Sequence, residues 1–453
     1  MNNIIYNIVL FGFDIFSHVI YTVFNMASEL GWIDISPIHR KRINNFMDLM
    51  GMGGVVDELG IGVIRDAISN KIFPGFSTLY TRAKYFFITP YILCEKDKKK
   101  GARQTPRQYF ENVEIDINKR VYNFYNKDNR GRGNESYFGK EKGDGKLKRQ
   151  PSEIYWNGII KLKLVNSESS LEQLLKDKPS TIEELLSNNR GDDVSMETGE
   201  NHNNRICDIS YDADWRDVIE KQGLTLTEVE ANTLIDRLQK HLPDSLPAAL
   251  VSNPDLWNLY NSDNVDFVKF IEEAFNQNLI SNQMLRKNLA LAHDFALFIY
   301  GSHIAYNIRL WQRWNEKRYG DNDAYISELR EKGREWFSSV KNNLLTENFH
   351  IDMCMENVKV NATKCFLQKV QELISKYNDW GTIEDELCDL SEGQERWNKK
   401  TKSRFLKIEK NQVIEEMQNK TAWLGLGPIQ YRYAAARSVI NDIYNSFNYQ
   451  SQQ

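Results

Sequence analysis

The chain has 453 residues, 41% of them hydrophobic and 26% charged, with a formal net charge of -4. That is globular composition on a length sufficient for two or three domains with buried cores. It excludes a histone-like or strongly acidic protein. The five cysteines, Cys94, Cys207, Cys354, Cys365 and Cys388, are scattered, with no C-x-x-C pair. Such a set argues for reduced thiols in the cytoplasm, and against a disulfide framework or a zinc ribbon.

The segment "NNIIYNIVLFGFDIFSHVIYTVFN" is apolar enough to resemble a membrane span, yet it contains Asp14 and His18 and no basic residue precedes it. A signal peptide begins with positive charge, and a span tolerates few ionisable groups. Residues 1–25 therefore read as an upstream extension before a natural start at Met26, with a single membrane anchor as the alternative. Ser36-Pro37 predicts a helix start, with Ile43, Phe46, Met47 and Met50 on one face. A second helix is predicted from Val56. Asp57 and Glu58 fall in its first turn, where the helix dipole favours acids. Its apolar stripe is Leu59, Val63, Ala67 and Ile68, and Phe73-Pro74-Gly75 ends it.

The next stretch, "GFSTLYTRAKYFFITPYIL", predicts a helix capped by Ser77 and kinked or stopped by Pro90. Gly131 to Gly145 is glycine-rich and charged, so it reads as a loop. Residues 187–205 have almost no apolar side chains and read as a linker between a basic domain at 26–186 and a second domain at 206–453. Thr227 and Glu230 form a capping-box pattern ahead of Leu234, Leu238 and Leu242. Pro243 and Pro247 end that helix. Ile280 to Lys317 predicts one long helix or two in series. Tyr325–Asn342, Glu356–Tyr377 and the spacing from Ile429 to Phe447 predict more. No long-period repeat and no strong β alternation is present. The fold class is mainly α, in two lobes.

Three groups of residues could carry chemistry. Arg82 lies within an aromatic run that is apolar on all sides, as buried helices are. A buried arginine needs an acid, and Asp57, Glu58 and Asp66 are nearest in sequence. Arg82 with Asp57 and Glu58 is therefore the expected structural ion pair. The functional alternative is a phosphate clamp, with Lys84 beside Arg82 and Tyr80 or Tyr85 stacking on a base.

Charge supplies the second group. From Lys96 to Arg149 there are 16 Lys/Arg against 8 Asp/Glu, in a chain that is otherwise acidic. Such asymmetry points to a polyanionic partner, and the bland reading is a solvated, loop-rich insertion. The basic run leads into "KLKRQPSEIYWNGIIKLKLV", which has the shape of a winged-helix-like element near 145–166: a capped helix, then an apolar strand. Here Lys146, Lys148 and Arg149 would meet phosphates, while Tyr155 and Asn157 would meet base edges. Glu153 in the first turn opposes this.

The third group is His293-Asp294, a doublet used by metal-dependent phosphohydrolases. The additional histidines that such a site needs do not fall in a matching pattern, so the doublet reads as a polar helix position. His303, Tyr306 and Asn307 form a polar patch in an apolar helix, explicable by hydrogen bonds between helices. There is no P-loop, dinucleotide fingerprint, G-x-S-x-G or H-E-x-x-H. No cofactor, metal or catalytic residue is expected.

Several strings occur together in a fixed order: "LGWIDISPIHR", "VVDELGIGVIRDAI", "FPGFSTLYTRAKYFFITPYIL", "QPSEIYWNGI", "LTLTEVEANTLIDRL", "GSHIAYNIRLW" and "YRYAAARSVINDI". The chain resembles, from Ser28 to Phe447, a prokaryotic family called domain of unknown function 6361. The resemblance supports a start at Met26. It implies no activity and no catalytic residues, only an association with DNA-modification and phage-defence genes. The leading expectation is a non-catalytic, cytoplasmic, nucleic-acid-binding subunit of a bacterial DNA-targeting or anti-phage assembly, with other protein subunits as partners and no membrane contact. The alternatives are an interaction scaffold and an unrecognised nuclease or metal-dependent hydrolase.

Overall fold

A computed structural model describes residues 57–98, 105–126, 136–140, 143, 145–176, 207, 209, 213–263, 265–317, 321–355, 360–412, 414–418 and 422–448. In chain order, the first helices are α1 (Gly62–Ile72), α2 (Tyr85–Lys98), α3 (Pro106–Asn126), α4 (Pro151–Lys161), α5 (Leu171–Lys176) and α6 (Trp215–Gln222). Then come α7 (Glu228–His241), α8 (Leu246–Ser252), α9 (Pro254–Tyr260), α10 (Phe267–Asn276), α11 (Gln283–Glu316) and α12 (Asp323–Asn342). Last are α13 (Asn361–Lys376), α14 (Trp380–Lys399), α15 (Arg404–Glu409), α16 (Glu415–Gln418) and α17 (Tyr433–Asn448). No strand occurs among the described residues, so the fold is mainly α. No helix among them is long and apolar enough to cross a membrane. The extension at 1–25, the helix expected after Ser36-Pro37 and the linker at 187–205 all lie outside the described residues.

The chain forms two compact units that interleave along the sequence. One comprises Met1–Ile72 and Asp263–Tyr431, the other Phe73–Ser262 and Arg432–Gln453.

The first unit is organised around α11, which has 34 residues and extends for about 50 Å at 1.5 Å per residue. Helices α1, α10, α12, α14 and α15 all pack on it. Glycine sets the closest approaches. A Cβ at Gly301 of α11 would lie 2.2 Å from the Trp336 ring of α12, and one at Gly333 of α12 would lie 2.4 Å from the Trp380 ring of α14. The two indoles meet edge to face at 5.8 Å, a geometry that aromatic quadrupoles favour. Helix α1 begins at Gly62, later than predicted. Asp57 precedes the helix and accepts hydrogen bonds from the Ile61 and Gly62 amides, so it caps from outside.

The second unit holds the aromatic run. Only its later part is helical: α2 begins at Tyr85 and continues through Pro90. The predicted start at Ser77 fails because the intervening amides bond to distant side chains. Thr81 and Arg82 donate to the Tyr155 hydroxyl, and Ala83 donates to Asp442. Ser77 instead closes a tight turn by accepting from the Leu79 amide. Tyr80 stacks on Tyr155 at 4.0 Å and 13°, and Phe86 meets both rings edge on. The Tyr80 hydroxyl donates to the Gly75 carbonyl. That bond depends on Gly158 of α4, where a Cβ would lie 2.5 Å from the same hydroxyl. The Thr227–Glu230 capping box forms at α7 as its spacing predicts. Residues 162–165, expected as the strand of a winged element, instead form the turn that ends α4.

Candidate nucleic-acid interface

The basic loop Gly145–Gln150 lies between α3 and α4. Two α3 side chains one turn apart hold it. Asn118 donates from Nδ2 to the Gly145 carbonyl at 3.2 Å and to Gln150 Oε1 at 2.9 Å, gripping both ends. Glu114 accepts from the Ser152 amide and hydroxyl, both at 2.9 Å. It therefore supplies the acceptor that the first turn of α4 lacks locally, since Gln150 at the cap position makes no side-chain bond to the helix. Gly145 has φ +71°, and a Cβ there would lie 2.4 Å from the Ile115 carbonyl oxygen, so only glycine fits.

Burial pushes the Glu114 carboxyl up to about 7, against the opposing bonds from Ser152, with Glu153 and Glu111 adding to the rise. Near neutral pH, Glu114 thus carries only part of a charge beneath the basic loop.

Lys146 and Lys148 are exposed, and the Lys119 stem lies against Gly145 beside them. Arg149 is partly buried. Burial lowers the pKa of its guanidinium, with Glu153 acting in the opposite direction. Arg107 and Arg120, also in the basic run, are engaged with acids: Arg107 with Glu111, and Arg120 with Asp116 and Glu220. Lys119, Lys140, Lys146 and Lys148 are exposed lysines of the described run.

Three expected roles require correction. Tyr155 has 0% exposure, and its hydroxyl donates to the Arg82 carbonyl while accepting two amides. It is a core residue and cannot meet a base edge. Lys84 is buried, and its Nζ lies 2.7 Å from Glu230. Glu230 also accepts from the Tyr91 hydroxyl and the Thr227 amide, so Lys84 is neutralised inside the unit and cannot clamp a phosphate. Arg82 pairs with Asp442, not with Asp57 or Glu58. Asp57 is used as a cap, and Glu58 is paired with Arg404 at 2.9 Å. Asn157 lies on α4, partly buried.

The first unit contains a polar network that local sequence reasoning cannot assemble. Arg404 Nη1 donates to Glu58 and to the Tyr306 hydroxyl, and Glu58 also accepts from the Leu426 amide. Burial would raise the Glu58 carboxyl, but Arg404 and Lys399 outweigh it and hold the group below its usual value. His303 is wholly buried nearby, and neither ring nitrogen has a partner. Burial lowers its pKa to about 4, so the ring is neutral. Of the bonds expected across a helical interface, Tyr306 makes one, to Arg404 of α15, whereas Asn307 donates to and accepts from the backbone of Leu424, which lies outside any helix.

The His293-Asp294 doublet is equally internal. His293 bonds to Asp294 at 2.8 Å and to Glu272 at 3.1 Å, and Asp294 accepts the Leu345 and Thr346 amides. Burial lowers the histidine's pKa, but these two acids outweigh it and raise the value overall. Among the described residues no cluster of His, Cys, Asp and Glu could hold a metal ion.

A family model matches residues 27–407, which is most of the chain. The chain belongs to the DUF6361 family. That family is described as one of unknown function, so membership assigns no chemistry to this DUF6361 protein. No curated protein and no solved structure matches the chain.

Proposed function

We propose that this DUF6361 protein is a non-catalytic nucleic-acid-binding subunit whose basic loop, Gly145–Gln150, contacts phosphates. The same reading makes it a subunit of a bacterial DNA-targeting or defence assembly, a role supported by the association that the family resemblance implies. The carrying observation is the pinned loop: Asn118 fixes both its ends, and Lys146 and Lys148 project exposed from between them. A pre-organised loop loses little conformational freedom on binding, and lysines on it attract phosphate without reading sequence. With Tyr155 in the core, α4 offers no base reader at that position. The mode is backbone binding and not groove recognition.

The test is a titration of duplex DNA, single strands and RNA with the full chain at several salt concentrations. Each duplex phosphate contact contributes about -0.9 to the log–log salt slope. Replacing Lys146, Lys148 and Arg149 together by glutamine should weaken binding to all sequences alike and flatten the slope. A parent chain that binds none of the three at low salt would favour the scaffold reading.

A further inference from the structure

A groove of about 990 Å³ opens on the first unit, between the start of α11, the Leu345–Thr346 segment and the 3-10 turn Ile351–Cys354. Its walls combine two properties. Met284 and Met353 leave 55% and 41% of their surface exposed, and both line this groove. Unbranched thioethers adapt to varied apolar partners, and exposed methionines recur on peptide-binding surfaces. The second property is charge. Lys71, Arg286 and Lys287 line the same groove, against a single acid, Asp352. That acid is already engaged, by His350 at 3.1 Å and by Gln368 at 3.4 Å.

We infer that this groove docks an acidic amphipathic peptide segment of a partner protein, its apolar side chains on Met284 and Met353 and its carboxylates on Arg286 and Lys287. The Arg286 guanidinium lies 4.2 Å from the centre of the Phe275 ring, which holds the cation at the rim. The same stacking occupies a Phe275 face, so the groove is poorly suited to stacking a nucleobase there. The Thr346 hydroxyl is buried and has no partner, while its amide is fixed by Asp294.

The test uses the full chain and a fluorescent peptide of about 16 residues, long enough to form a helix on binding. The peptide carries leucines at i, i+3, i+4 and i+7 and glutamates elsewhere. Controls are a shuffled peptide and one with lysine in place of every glutamate. Saturable anisotropy is expected for the glutamate peptide alone. Met284→Asp with Met353→Asp should weaken binding by about tenfold or more, as loss of a central contact does. Arg286→Glu with Lys287→Glu should also weaken it and shift preference towards the lysine peptide. Both pairs lie at the surface, and a thermal melt confirms that the variants are folded. Equal binding of the shuffled peptide, no saturable binding, or indifference to charge reversal overturns the proposal. Displacement of the peptide by duplex DNA also overturns it, marking the groove as a nucleic-acid surface.

Discussion

The Arg82 guanidinium closes on the Asp442 carboxylate at 3.0 Å, across a sequence separation of 360 residues. Asp442 also accepts the Ala83 amide at 2.7 Å, and Arg82 donates to the Tyr125 hydroxyl. One acid thus ties α17 to the segment that leads into α2. Side-chain exposures of 14% and 9% leave little water to replace a lost partner.

Arg82→Ala should therefore destabilise the fold by about 3–5 kcal/mol, because Asp442 would be left charged and buried. Asp442→Asn should cost less, since the amide still accepts from Ala83. Urea unfolding of both variants checks the order. An Arg82→Ala midpoint equal to that of the parent would refute the structural role.

Tyr155 and Lys148 separate the core from the surface of one short segment. Tyr155→Ala empties a fully buried aromatic site and should cost about 3–5 kcal/mol. Lys148→Gln should leave stability within about 0.5 kcal/mol of the parent, as exposed substitutions do. Calorimetry on the two variants tests the division, and a thermally unaffected Tyr155→Ala would reopen a binding role.

His303 should make the protein sensitive to acid. Its pKa falls from 6.5 to about 4 on folding, so between those values the unfolded chain holds a proton that the folded chain refuses. This contribution is fully present above pH 6.5 and is lost as pH falls towards 4, by about 3 kcal/mol in all. His303→Leu should remove that part of the slope. Parallel stability-against-pH curves for variant and parent would contradict it.

Glu114 should act in the opposite direction. Its pKa rises from 4.5 to about 7, so the folded state holds the extra proton and stability falls as pH rises through that window. The total is again about 3 kcal/mol. Glu114→Gln cannot ionise and should abolish the effect. Hydrogen exchange at the Ser152 amide offers a local readout, since protection there should decrease with rising pH in the parent alone.

The sequence by itself determined the helical class, a helical run over Ile280–Lys317 and the capping box of α7, while the structure decided that this run is the single helix α11. These depend on periodicity and on hydrogen bonds spanning three or four residues, whose geometry the local chain sets. It also showed that Arg82 needs an acid and that basic charge collects before Arg149. Only the tertiary structure decided which acid, because proximity along the chain does not rank partners once the chain is folded. Asp442 reached Arg82, Glu230 reached Lys84, and Arg404 took Glu58. The same cause turned Tyr155 from a candidate base reader into a core residue. Its hydroxyl satisfies amides some 70 residues earlier, where an unpaired buried N–H would cost about 1–3 kcal/mol. Periodicity identifies a helix face. What covers that face is set by where the remainder of the chain packs.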